Sequence, residues 1–207
     1  MTRSSFLRPG VLALGLFAVL TPIAAQADEA ILAGGCFWSM ETDLDRVPGV
    51  TKTMSGYTGG HLKNPTYQDV VTETTGHYEA VKVTYDPAKI TYDQLLQAYW
   101  HSIDPTDAGG QFCDRGDSYR TAVFAIGDGQ MKTAEASKAA VQKELGQKVA
   151  TAVLPAAEFY PAEDYHQDYA RKNPGHYKRY RIGCGRDAAV KAVWGAKAQA
   201  ELTAKLD

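Results

Sequence analysis

Apolar and polar positions fall into short blocks whose period alternates between two and about 3.6 residues. Residues 30–33 (AILA) are an apolar run halted by Gly34-Gly35, as in a short buried strand. Cys36, Trp38, Met40 and Leu44 follow before Pro48, which predicts a helix starting at the cysteine. Residues 50–57 read as a second strand, and Gly59-Gly60 opens a polar loop through Asn64-Pro65. Residues 78–85 (YEAVKVTY) alternate throughout, and Asp86-Pro87 closes this third strand. Thr91 caps an amphipathic helix carrying Leu95, Leu96, Tyr99 and Trp100. An irregular, Gly-rich loop over 104–117 leads to residues 120–126 (RTAVFAI), apolar on both faces as a central strand is. Residues 128–145 read as helix, 149–154 as a last strand and 186–206 as an Ala-rich terminal helix. The order β-α-β-β-α-β is the split βαβ pattern. The expected fold class is therefore α+β, a two-layer sandwich around a ferredoxin-like core with long loops and a C-terminal tail.

The N-terminus reads differently. Arg3 and Arg8 precede an apolar run over 11–20, and Ala25-Gln26-Ala27 has the small-x-small form of a signal peptidase site. A membrane-spanning helix needs roughly 17–25 apolar residues, so this run is too short for one. Residues 1–27 are expected to be a signal peptide and 28–207 a single domain, exported to a periplasmic or extracellular location. No stable membrane association is expected after cleavage, and a monomer is expected. The 44% hydrophobic content excludes a disordered chain. With 22 basic against 24 acidic residues the net charge is only -2, which argues against a nucleic-acid partner.

Three cysteines, Cys36, Cys113 and Cys184, give an odd count in an oxidising compartment, so at least one thiol is free or exchanging. Gly34-Gly35-Cys36-Phe37-Trp38 places one on a tight turn at a helix N-terminus, where N–H groups and the dipole favour a thiolate. Cys36 is either an activated nucleophile or a buried structural residue; two adjacent aromatics could wall an apolar pocket. In residues 78–85, period two puts Glu79 on the face of Val81 and Val83. There desolvation raises a carboxyl's pKa and lets it donate a proton near neutral pH. The alternative is a strand-end side chain reaching water past Gly76. His77 belongs at the strand entrance rather than on a metal, and neither H-E-x-x-H nor C-x-x-C occurs. A cysteine hydrolase using His77 or His166, and a tyrosine-lined binder, are the other readings. Lys178, Arg179, Arg181 and Arg186 around Cys184 read as a solvated basic tail.

Five motifs decide among these readings. Gly34-x-Cys36-Phe37-Trp38, Gly56-Tyr57-Thr58-Gly59-Gly60, Asn64-Pro65-Thr66-Tyr67, Thr75-Gly76-His77-x-Glu79-Ala80 and Tyr119-Arg120-Thr121-Ala122 resemble, in order, the A-type peptide methionine sulfoxide reductases. The resemblance implies thiol-dependent reduction of methionine-S-sulfoxide, in proteins and free, without a cofactor or metal. Electrons would come from a thioredoxin-like dithiol. It makes Cys36 the nucleophile, Glu79 the acid, Tyr57 and Tyr119 hydroxyl donors to the sulfoxide oxygen, and Phe37 and Trp38 the methyl pocket. Asp114 matches a site carboxylate, and Cys184 the resolving thiol, which implies a Cys36 sulfenic acid and then a Cys36–Cys184 disulfide. Gly183 and Gly185 flank Cys184 in a stretch expected to be irregular and able to bend. Cys113 remains open: a relay thiol, a partner of Cys184 after turnover, or a residue packed under its loop. Ser39 departs from the family's glycine after the tryptophan.

Overall fold

β1 (Asp28–Gly34) turns through Gly35 and Cys36 into α1 (Phe37–Leu44). β2 (Val50–Thr58), the short α2 (Tyr67–Val70) and β3 (Tyr78–Tyr85) follow. Next come α3 (Tyr92–Trp100), the two-residue strands β4 (Gly110–Gln111) and β5 (Asp114–Arg115), β6 (Thr121–Ala125) and α4 (Gly127–Leu145). The chain continues through β7 (Ala152–Pro155), β8 (Phe159–Pro161), α5 (Tyr169–Lys172), α6 (Pro174–Cys184) and α7 (Arg186–Trp194). This computed structural model describes residue 1 and residues 27–198. Residues 2–26 of the expected signal peptide, and residues 199–206 of the expected terminal helix, lie outside the described residues.

The main sheet has the order β7-β6-β1-β3-β2-β8. Its inner four strands, β6-β1-β3-β2, pair antiparallel throughout and make the split βαβ arrangement. β7 extends it parallel to β6, and β8 antiparallel to β2. Strand parity sorts the two faces. Ala30, Leu32, Val81, Val83 and Val123 join the larger core with Leu44, Leu95, Leu96, Trp100 and Val141 of α1, α3 and α4. Ile31, Ala33, Ala80 and Phe124 form a smaller cluster on the other face. A capping box between Thr91 and Gln94 starts α3, and the Trp100 indole donates to Ser137 Oγ of α4 at 2.8 Å.

The C-terminal segment differs from expectation. Residues 174–184 form the helix α6, because Pro174 sits in its first turn, where a missing N–H costs nothing. Gly185 then adopts φ 69° and ends it. The basic cluster is not a solvated tail. Lys178 and Arg179 are exposed, but Arg181 and Arg186 are buried against Asp43 of α1, at 2.8 and 3.4 Å. Arg186 also donates to the Gly34 and Ser102 carbonyls, at 3.2 and 2.9 Å. A buried carboxylate needs charged partners, and two guanidiniums supply them. The Trp194 indole, donating to the Ile103 carbonyl at 2.8 Å, fastens the end of α7.

Candidate active site

Cys36 is the N-cap of α1 and the one free thiol among the described cysteines, with 7% of its surface exposed. Both glycines before it are needed for packing. A Cβ on Gly34 would lie 2.4 Å from Met40 Sδ, and one on Gly35, at φ 82°, would lie 2.6 Å from Gln111 Cβ. The first helical N–H, that of Phe37, donates not to sulfur but to Glu79 Oε2 at 2.9 Å.

The structure corrects the thiolate expectation. Burial, and next the charge of Glu79, push the Cys36 thiol well above its usual range. Hydrogen bonds with the Tyr180 hydroxyl and the Trp38 backbone act the other way and are outweighed. A helix N-terminus contributes only about 0.3–1 kcal/mol. That is too little to offset the loss of water around a buried anion.

Glu79 sits under α1 with 2% of its surface exposed, on the helix-facing side of β3 rather than at a wet strand end. Burial raises its pKa to about 8. The Phe37 N–H opposes this shift, while the charges of Asp114 and Glu73 add to it. The carboxyl is therefore protonated at neutral pH, as a proton donor must be.

Aromatic rings wall this pair. Phe37 is buried between Tyr57 and His166, with centroids 5.8 and 4.9 Å away. Tyr169 stacks on Trp38 at 3.7 Å, and the Trp38 indole donates to His166 Nδ1 at 3.0 Å. The Tyr57 hydroxyl donates to Glu163 Oε2 at 2.9 Å, and the Tyr67 backbone N–H donates to Oε1 of the same carboxylate. Tyr119 is half-buried, and burial and then the charge of Glu79 push its hydroxyl well above the usual range. The roles of His166 and Glu163 were not legible in the sequence, because their partners lie 128 and 106 residues away.

Cys184 is bonded to Cys113, their Cα atoms 4.9 Å apart, which is the bridge expected if Cys113 pairs with Cys184 after turnover. The loop between β4 and β5 brings Cys113 under the last residue of α6, as the second of the open alternatives required. Asp114 Oδ2 lies 3.8 Å from Cys184 Sγ and accepts a hydrogen bond from the Tyr180 hydroxyl. Among the described residues, Cys113, Asp114 and Cys184 alone have metal-ligand spacing, and their sulfurs are bonded to each other. His77 has one nitrogen on the Gly60 N–H and the other on the Leu62 carbonyl. His166 Nδ1 accepts from Trp38 and its Nε2 has no hydrogen-bond partner, so neither histidine is hydrogen-bonded to the Cys36 sulfur as a hydrolase base would be.

The peptide methionine sulfoxide reductase family matches residues 28–198. The chain belongs to this family. The peptide methionine sulfoxide reductase MsrA 2 of Caulobacter vibrioides is 59% identical over 173 residues, covering 83% of this chain and 88% of that relative. The MsrA of Bacillus subtilis is 52% identical over 177 residues, 84% of this chain and all of the relative. Among solved structures, reduced Mxr1 of Saccharomyces cerevisiae matches with a TM-score of 0.70 and 32% identity, over 73% of this chain and 88% of that one. The reductase family and the α+β class expected from the motifs are both borne out.

Proposed function

We propose that the protein reduces methionine-S-sulfoxide, in oxidised proteins and as the free amino acid, to methionine. The observation that carries this is a free buried thiol and a protonated carboxyl meeting at one helix N-terminus. The Cys36 sulfur attacks the sulfoxide sulfur while Glu79 delivers its proton to the oxygen. The oxygen stays on Cys36 as a sulfenic acid, methionine leaves, and two electrons pass from the cysteine to the substrate sulfur. The Cys184 thiol condenses with the sulfenic acid and releases water. Cys113 then attacks Cys184, which frees Cys36 and leaves the Cys113–Cys184 bridge. Cys113 is exposed, so a thioredoxin-like dithiol can reach and reduce this bond. All electrons come from thiols, and no prosthetic group enters. Tyr57 and Tyr119 turn their hydroxyls to the sulfoxide oxygen, and Phe37 and Trp38 hold its methyl group.

Dithiothreitol-driven turnover of separated sulfoxide epimers tests the reading. The S epimer should be consumed and the R epimer left; equal rates, or no turnover, would overturn it. The site is read as that of an exported monomer, on the strength of Arg3, Arg8, the apolar run and Ala25-Gln26-Ala27. Cell fractionation and N-terminal sequencing check this, with Asp28 expected as the first residue.

A further inference from the structure

Cys113, Asp114 and Cys184 form one cluster, of which the cycle above uses only the disulfide. The loop after β4 contributes Cys113, the start of β5 Asp114, and the last residue of α6 Cys184. Their donor atoms all lie within 4.8 Å of one another, and Cys36 is not among them. Asp114 Oδ2 is 3.8 Å from Cys184 Sγ. Two hydrogen bonds hold these groups in place. The Cys113 N–H donates to Cys184 Sγ at 3.1 Å, and the Tyr180 hydroxyl donates to Asp114 Oδ2. Partners of this kind are the ones that orient metal ligands from outside the coordination shell.

The bridged pair offers no thiolates, and reduction creates them. When a dithiol opens the bridge, the S–S bond breaks, two electrons enter, each sulfur takes a proton and the dithiol leaves as its own disulfide. Two thiols and a carboxylate then face one another. Zn²⁺ takes such donors tetrahedrally, at about 2.3 Å for sulfur and about 2.0–2.2 Å for oxygen, which sets neighbouring donors about 3.5–3.8 Å apart. The Asp114–Cys184 pair has that spacing already. Only the two sulfurs must part, and Cys113 is exposed, so its side chain is free to turn once the bond is open. The same exposure gives a cation its entry path and leaves water for the fourth position. Two sulfur donors select Zn²⁺ over Mg²⁺ or Ca²⁺, which bind through oxygen.

We propose that the reduced protein has a Zn²⁺ site made of Cys113, Cys184 and Asp114, and that the bound ion withholds Cys184 from the Cys36 sulfenic acid. Binding displaces the two thiol protons into solvent and moves no electrons. The ligand set stands on the geometry alone. The withholding rests on the reading given above, in which Cys36 becomes the sulfenic acid and Cys184 resolves it. Zn²⁺ therefore leaves the first methionine to form and stops the cycle there.

Metal uptake tests the site. The protein is reduced with a phosphine, freed of it, and titrated with Zn²⁺ against a chromophoric chelator. The reduced protein should take up one Zn²⁺ per chain, and the bridged protein, which has the same fold, none. Reduced Cys36→Ser should still take up one. Cys113→Ser and Cys184→Ser should take up none, and Asp114→Asn should bind about 10²-fold more weakly or worse, beyond the loss of an outer-shell partner. Co²⁺ in place of Zn²⁺ should show sulfur-to-metal charge-transfer absorption. No uptake by the reduced protein, equal uptake by the bridged one, or uptake that survives the loss of either Cys113 or Cys184 overturns the site.

A single turnover tests the withholding. Reduced protein receives a methionine-S-sulfoxide peptide and dimedone, with no reductant, in the presence or absence of one equivalent of Zn²⁺. Both samples should release one methionine per chain. Only the zinc-loaded one should carry dimedone on Cys36, and only the zinc-free one should show the Cys113–Cys184 bridge on non-reducing peptide mapping. Equal labelling, or a bridge that closes with zinc bound, overturns the withholding. If the zinc-free protein releases no methionine, the reading of Cys36 and Glu79 has failed and the withholding falls with it, while the uptake measurements still decide the site.

Discussion

Cys36 and Glu79 stand on the split βαβ core, whereas Tyr180 and Cys184 stand on a helix laid over it, and the second region relies far more on polar and covalent ties. The core is apolar: Leu32, Val81, Val83, Leu95, Leu96 and Val123 are each fully buried. The overlay adds Val190 and Trp194 to that core, but it has an exposed Ile182 and is also fastened by the Asp43–Arg181–Arg186 cluster, the Tyr169 stack on Trp38, the Trp194 indole N–H and one disulfide. Apolar packing at crystalline density fixes geometry to within fractions of an ångström, which suits a nucleophile and its acid. The overlay carries the residues that must exchange bonding partners, and the disulfide holding it is a bond that thiol exchange opens.

The comparison is tested most severely at the nucleophile. Cys36→Ser should abolish sulfoxide reduction while the protein folds, because a hydroxyl is a far weaker nucleophile toward sulfur. Turnover within about tenfold of wild type, or 1.4 kcal/mol in barrier, would contradict the assignment.

Glu79→Gln should lower the rate of methionine formation by about 10²–10⁴-fold, the range of general acid catalysis. Its stability effect has a defined sign. The folded pKa, near about 8, lies above the usual 4.5, so the native state binds the extra proton between them. Stability from the neutral carboxyl is full below the lower value and is lost as pH rises through the upper one. Glutamine removes that dependence, and its amide oxygen can still accept from Phe37. Urea midpoints at about pH 5 and about pH 8.5 should favour glutamine more at the higher pH. The reverse order would show that the carboxyl is not held neutral.

Asp43→Asn attacks the overlay. Buried Arg186 would lose its carboxylate partner and Arg181 one of two, keeping Asp187 at 2.7 Å, at about 3–5 kcal/mol if the site does not relax. The urea midpoint of the bridged protein should fall accordingly, and an unchanged midpoint would mean that the ion pairs are not what anchors α6 and α7. Thr91→Ala should cost least, about 1 kcal/mol, since it removes one cap from a helix whose packing survives. A loss larger than that of Asp43→Asn would invert the ranking of the two regions.

Strand periodicity located β3 to the residue, because its alternation is unbroken between two turn signals. Glu79 was legible for the same reason: parity alone put a carboxyl among valines. α6 was missed because Pro174, Gly175 and Gly183 look like breakers, although proline is favourable in a first turn. β4, β5 and β8 were missed because two or three residues carry no period. Arg181 and Arg186 were misread because the chain shows their charge and not the buried Asp43, far from both in sequence.

The sequence by itself determined what depends on neighbours along the chain: strand parity, the turn before Cys36, the Thr91 cap and the ordered motifs that mark the family. Tertiary structure alone decided what depends on groups far apart in sequence. It pushed the Cys36 thiol up, because burial and Glu79 outweigh the helix end. It joined Cys184 to Cys113 across 71 residues and set the Tyr180 hydroxyl against Asp114. Desolvation and hydrogen bonding act through space, and their partners are defined only once the chain has closed.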